Sequence, residues 1–351
     1  MSMTQKSFDP NAGAIPSSGI YGLSCTLDES KVVLLPVPVE ITTSYGEGTA
    51  LGPAAILQAS KQVDLFDVSA GRVYEAGIHM MPESRRIQRL NREGRRLARP
   101  IIRRGGIDEG STKWKRILGR VNAISSEVNE WVYAAATRLI SKDKVVGVVG
   151  GDHSAPFGLM RAYAERSPGL GVLHFDAHCD LRIAYEGFTW SHASIMYNVV
   201  SRIPQIKKLV QVGIRDFCEQ EMEIVQKSRG RILLYCDEDL QWQKFKGRSW
   251  KSIVTGIIAG LPRNVYVSFD IDGLNPSLCP HTGTPVPGGL SFEEAVYIIA
   301  AVSKSGRRIV GFDLNEVAPG PEGDEWDANV GARLLYKMIG HTLLSQKNSG
   351  K

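Results

Sequence analysis

Short, nearly continuous apolar runs rich in valine, isoleucine and leucine recur along the chain. They lie at residues 31–36, 145–149, 171–175, 208–213, 231–235, 264–269 and 307–314. Runs of this kind suit the strands of a parallel sheet covered on both faces. Helical periodicity fills much of the space between them, at 117–140, 156–166, 192–201, 219–227, 292–304 and 326–344. In the first of these, Leu118, Val121, Ile124, Val128, Trp131, Ala135 and Leu139 fall on one side. The alternation predicts βαβ units and an α/β fold of three layers, α/β/α, with a mostly parallel, roughly eight-stranded sheet. No internal repeat or linker divides the chain. One domain over residues 26–347 is expected, preceded by a flexible or draped arm over residues 1–25.

An apolar fraction of 43% and a charged fraction of 23% over 351 residues are ordinary for a globular protein. No apolar stretch is long enough to span a bilayer. The opening residues are polar and lack the basic start and apolar middle of a secretory signal. Cys25, Cys179, Cys218, Cys236 and Cys279 are scattered, without a Cys-x-x-Cys pair. That usage predicts reduced thiols and a cytoplasmic protein. The net charge of +5 is uneven. Residues 83–120 hold eleven arginines and two lysines against four acids, so the rest of the chain is acidic. With only Trp114 interleaved, and with Arg85, Arg89, Arg92, Arg96 and Arg99 at helical spacing, a helical insertion with a solvated face or a subunit contact is expected rather than a nucleic-acid surface.

Three polar runs follow apolar ones directly. They are Gly-Gly-Asp-His-Ser from Gly150, His-Phe-Asp-Ala-His-Cys-Asp from His174, and Ser-Phe-Asp-Ile-Asp-Gly from Ser268. Residues two apart on an extended strand share a face. Asp176, His178 and Asp180 are therefore expected to project together, as are Asp270 and Asp272, with His153 joining them through folding. Four carboxylates carry the charge of two divalent cations, and a buried cluster of bare carboxylates would otherwise be costly. Oxygen-rich ligation assisted by imidazole suits manganese, with nickel, cobalt or iron as alternatives and structural zinc disfavoured. His153, Asp176, Asp270 and Glu316 each end or follow an apolar run. They would thus meet at the carboxyl rim of the sheet, where open α/β folds place their sites.

These runs, together with Gly-Thr-Pro-Val-Pro-Gly-Gly-Leu from Gly283 and Asp-Leu-Asn-Glu-Val-Ala-Pro from Asp313, resemble the ureohydrolase family of arginases and agmatinases. The early stretch from Thr43, Thr-Ser-Tyr-Gly-Glu-Gly-Thr, resembles that family's substrate-side loop, and Gly52-Pro-Ala-Ala-Ile its first helix. The resemblance implies two manganese ions per subunit. His153, Asp176, Asp180 and Asp270 would hold one, and Asp176, His178, Asp270 and Asp272 the other. It further implies hydrolysis of a guanidino group to urea and an amine by a water shared between the cations, with Asp176 as a bridging catalytic ligand. Glu316 would grip the guanidinium fork. His192 would move protons and should titrate near pH 7. A small guanidino substrate, a place in polyamine metabolism and a trimeric or hexameric homo-oligomer are implied as well.

On substrate, arginases carry an Asn where this chain has Arg182, and an acid where it has Cys218. The wording from Tyr185 to His192 looks closer to agmatinases. Guanidinobutyrate, free guanidine, arginine, or a formimino compound as in formimidoylglutamase remain alternatives. His281, where the family has a small residue, could reshape the pocket. A nucleic-acid or partner-binding protein using the arginine-rich segment is the alternative outside enzymes.

Overall fold

The computed structural model describes residues 8–348. Along the chain come β1 (Val32–Val37), α1 (Gly52–Ala59), β2 (Ile78–Met80), α2 (Arg85–Ile102), α3 (Thr112–Ile140), β3 (Val145–Gly150), α4 (Phe157–Arg166), β4 (Leu170–Phe175), α5 (Ile195–Arg202), β5 (Ile206–Ile214) and α6 (Glu219–Lys227). Then follow β6 (Ile232–Cys236), α7 (Asp237–Phe245), α8 (Trp250–Ala259), β7 (Asn264–Asp270), α9 (Phe292–Lys304), β8 (Arg308–Asn315) and α10 (Trp326–Asn348). The strands form one sheet in the order β2-β1-β3-β8-β7-β4-β5-β6, and every pairing is parallel.

Alternation along each strand divides the core in two. Val32 and Leu34, Leu173 and Phe175, and Val265, Val267 and Phe269 face α1 and α7–α10. Val33 and Leu35, Val172, and Tyr266 face α2–α6. Phe175 and Phe269 stack at 4.7 Å across neighbouring strands, closing the sheet just beneath its carboxyl rim. Burial of both faces explains why these strands read as continuous apolar runs.

Two expectations change. β2 is an extra edge strand too short to carry a pattern, and α7 and α8 supply the β6–β7 connection. The opening arm is anchored where it is described. Ile20 and Tyr21 are buried, and Tyr21 Oη donates to Ala332 O at 3.0 Å, so this part is draped; residues 1–7 lie outside the described residues. The arginine-rich segment is built into one helical layer as α2 and the start of α3, with Arg85, Arg89, Arg92, Arg96 and Arg99 exposed as foreseen.

His341 on α10 is fully buried between Ser303 Oγ (3.2 Å from Nδ1) and Ser69 Oγ (3.4 Å from Nε2). Burial lowers its pKa to about 4. The folded state therefore binds fewer protons than the unfolded chain, whose histidines titrate near pH ~6.5. The stability this neutral ring contributes is complete above that value and is lost as pH falls toward 4. In chelator-treated protein, His341→Asn should remove roughly 2 kcal/mol of the drop in unfolding free energy between pH 7 and 5. Denaturant titrations at the two pH values check this, and equal drops in wild type and variant would contradict it.

Candidate metal centre

Four adjacent central strands, β3, β8, β7 and β4, deliver the polar groups to one point on the carboxyl rim. His153 lies just past β3, Asp176 follows β4, Asp270 ends β7 and Glu316 follows β8. Gly151 makes the first turn possible, because a Cβ there would sit 1.9 Å from Val39 O.

All six expected ligands converge. His153 Nδ1 lies 3.0 Å from Asp176 Oδ2, 3.1 Å from Asp270 Oδ2 and 3.5 Å from Asp180 Oδ2. His178 Nδ1 lies 3.3 Å from Asp176 Oδ1 and 3.2 Å from Asp272 Oδ2. Asp176 thus turns one oxygen toward each half of the cluster.

The route to this arrangement differs from strand alternation. β4 ends at Phe175, so Asp176, His178 and Asp180 lie on a loop, and Asp180 has φ +54°. Asp272 lies in a single tight turn, Ile271–Gly273. Backbone donors aim the aspartates. Asp176 Oδ1 accepts from His178 N–H at 2.6 Å, Asp270 Oδ1 from Asp272 N–H at 2.9 Å, and Asp272 Oδ1 from Ala177 N–H at 3.0 Å. Each bond fixes one oxygen; the other oxygen of Asp270 and of Asp272 faces inward, whereas Asp176 faces the cluster with both.

Electrostatics favour a cation here. Burial, reinforced by Asp176, pushes Asp180 well above the usual carboxylate range, and burial with Asp272 and Asp176 does the same to Asp270. Burial would also raise Asp176, but the neighbouring His174 and hydrogen bonds from His153, His174 and His178 hold it well below. Burial alone would lower His153, yet Asp176, Asp180 and Asp313 draw it up to about 9. Crowded carboxylates pulling protons onto the imidazoles mark where positive charge is needed. The donor set therefore fits divalent metal ions.

The supporting residues carry no mark of that role in the sequence, although Ser268, Asp313 and His174 open runs already noted. Ser268 Oγ lies 2.9 Å from His153 Nε2 and donates to Asp313 Oδ1 at 2.9 Å, so His153 Nε2–H points away from the cluster and Nδ1 is free to ligate. Gln211 Nε2 donates to His174 Nδ1 at 2.9 Å, which turns His174 Nε2–H onto Asp176 Oδ2 at 2.9 Å. Arg215 pins the rim loops by donating to the carbonyls of Gly213, Asp272, Leu274 and Val286.

A cleft of about 220 Å³ opens over the cluster, lined by Tyr45, Arg182, Tyr185, His192, Asp216 and Glu316 among others. Glu316 is buried with φ +62°, a left-handed backbone uncommon outside glycine. Its Oε1 accepts from His153 N–H at 2.9 Å. Burial and the charges of Asp270 and Asp152 raise its carboxyl well above the ordinary range.

His192 faces the same cleft, but not as a group titrating near neutrality. Burial, aided by the charge on His178, lowers it to about 3, so it rests as a neutral imidazole. His281 is turned elsewhere. Its backbone N–H and Nδ1 both lie 2.9 Å from the Asp327 carboxylate, and it does not line the cleft.

Fold and site define the class: a parallel α/β/α enzyme with an acid–imidazole cluster able to hold metal ions at the sheet's carboxyl rim. Within it, the chain belongs to the arginase family, whose family model matches residues 30–340. It is 30% identical over 315 residues to an N(1)-aminopropylagmatine ureohydrolase of Thermus thermophilus, covering 89% of this chain and 90% of that protein. It is 27% identical over 320 residues to an agmatinase of Bacillus cereus, covering 90% and 92%. A hypothetical agmatinase from Burkholderia thailandensis superposes with a TM-score of 0.70 at 24% identity, over 97% of this chain and 93% of that one. An arginase from Medicago truncatula gives 0.64 at 26% identity, over 90% and 88%.

Removing the brace behind His153 should weaken metal binding without unfolding the protein. Ser268→Ala and Asp313→Asn are each expected to lower affinity for manganese by about 10- to 100-fold. Calorimetric titration of metal-stripped protein measures this, and wild-type affinity in both variants would exclude the bracing role.

Proposed function

We propose that this chain is a two-metal amidinohydrolase that cleaves the guanidino group of an agmatine-like substrate into urea and an amine. The observation that carries the reading is the placement of a buried carboxylate, Glu316, and a neutral imidazole, His192, in one cleft above the acid–imidazole cluster. His153, Asp176, Asp180 and Asp270 would hold one cation, and Asp176, His178, Asp270 and Asp272 the other. Manganese suits these donors best. Bound there, the cations would supply a water of lowered pKa as the nucleophile for the guanidinium carbon.

The remaining work belongs to side chains. Glu316 orients the planar cation by charge-assisted hydrogen bonds. The approach of a guanidinium offsets the negative neighbours that raise its carboxyl, favouring the ionised form. Cleavage breaks the bond from the central carbon to the chain-bearing nitrogen. Both water protons end on that nitrogen, giving an ammonium product and neutral urea. His192, neutral at rest, accepts a proton and passes it on, which suits a shuttle better than a standing acid.

The tail is read at the mouth. The agmatine-like reading rests on the absence of the amino-acid grip at Arg182 and Cys218, on the exposed Asp216 at the mouth, and on relatives named for agmatine and aminopropylagmatine. One observation favours a second reading, an ω-guanidino acid. Arg182 lies in the cleft 5.0 Å over the Tyr185 ring, and its nearest carboxylate oxygen, Glu221 Oε2 at 4.0 Å, already accepts from Cys218 N–H.

Manganese-loaded protein offered a panel of guanidino compounds should release urea, fastest from agmatine or a longer cationic homologue. Metal demonstrably bound with no urea from any compound would remove the proposal. His192→Ala should keep its metal while kcat falls by about 10²- to 10⁴-fold; metal loss in that variant would refute the shuttle role.

A further inference from the structure

The substrate-side loop has little regular structure of its own, and what holds it comes largely from α2. Asn91 Oδ1 accepts from Glu40 N–H at 2.8 Å. Gly94 lets the chain approach closely, since a Cβ there would lie 2.8 Å from Ile41 Cγ2. Arg95, buried despite its charge, donates from Nη1 to Thr43 O at 2.5 Å and from Nη2 to Glu47 Oε1 at 3.0 Å. One turn on, Arg99 Nη2 donates to Glu47 Oε2 at 2.7 Å. Asn91, Gly94, Arg95 and Arg99 share one face of the helix by their spacing. Arg99 lies at the edge of that face, next to the exposed arginines at 85, 89, 92 and 96.

The clamped segment matters because of its position. Ser44 and Tyr45 line the cleft over the cluster. Thr43 to Gly46 also border a smaller recess against His192, Gly283 and Glu316. Gly46 N–H donates to Gly283 O at 2.9 Å, joining the loop to the rest of the rim, and Gly48 N–H donates to Glu40 Oε2 at 2.7 Å within the loop itself. Both oxygens of Glu47 are engaged, each by a different guanidinium. Burial would raise that carboxyl, but the hydrogen bond from Arg99 and the charge of Arg95 hold it below its ordinary value.

We propose that Glu47, Arg95 and Arg99 form a latch that positions the Ser44–Tyr45 wall of the cleft, making α2 a substrate-positioning element. These are positioning residues, acting through the loop rather than on the reacting atoms. The latch is partly open to solvent at Glu47 and Arg99, so salt weakens it.

The test uses Glu47→Gln and Arg99→Gln in the full, manganese-loaded chain. Both sites are half-exposed, so the fold should survive, which thermal melting and metal content verify. Each variant is expected to raise KM about tenfold with kcat changed less than about twofold, and the double variant should be little worse than either single one, because one latch is lost once. Wild-type KM should rise with salt, and that of Glu47→Gln should rise less. This kinetic arm rests on the urea-releasing reading, so hydrogen exchange is measured alongside it. Gly46 and Gly48 amides should exchange about tenfold faster in Glu47→Gln, with β3 and β7 amides unchanged. Unaltered exchange at both glycines would overturn the latch. So would an unchanged KM in an active enzyme. If no guanidino compound is hydrolysed at all, the functional reading fails and the exchange result alone decides the latch.

Discussion

Mutual repulsion among Asp176, Asp180, Asp270 and Asp272 is the constraint on which the rest of this structure depends. Four carboxylates are held in a buried cleft with oxygens close to three imidazoles, His153, His174 and His178. Water cannot screen them there, and burial raises two of them while their neighbours pull protons onto His153. Divalent cations convert that repulsion into attraction. Holding the acids in place beforehand falls to the backbone amides of His178, Asp272 and Ala177, which fix one oxygen on three of them.

The sheet makes such an arrangement affordable by position. β3, β8, β7 and β4 are neighbours although far apart in sequence, so the loops at their carboxyl ends meet over the middle of the sheet. Beneath them, the stacked Phe175 and Phe269 seal the rim. Around them, Glu316 and His192 line the cleft of about 220 Å³ that opens over the cluster. The arginine-rich helix, at first sight only a charged surface, contributes Arg95 and Arg99 to the loop that closes the other wall.

Much of this was legible from residue order. Seven strands were readable because burial on both faces leaves little room for polar residues, and the convergence of the acids and imidazoles was readable because three runs of Asp and His each follow an apolar run directly. β2 escaped because three residues at an edge carry no pattern. α7 opens with Asp237, Glu238 and Asp239 and buries only Leu240 among its apolar residues, so its amphipathic signal is weak. Left-handed Asp180 and Glu316 are visible only in three dimensions, because neither residue type announces such a backbone. The bracing role of His174, Ser268, Asp313 and Gln211 was hidden for another reason, although three of them open runs quoted from the sequence. A polar residue inside a strand is marked as a brace only by the partner that folding brings to it. His192 was found by resemblance, but its depressed pKa is a property of its surroundings.

The most direct measurement is the number and coupling of metal ions in the manganese-loaded chain, by elemental analysis together with electron paramagnetic resonance. The account requires two ions per chain with a spin-coupled spectrum, since Asp176 faces both halves of the cluster. One ion per chain, or the separate six-line pattern of isolated manganese, would contradict it.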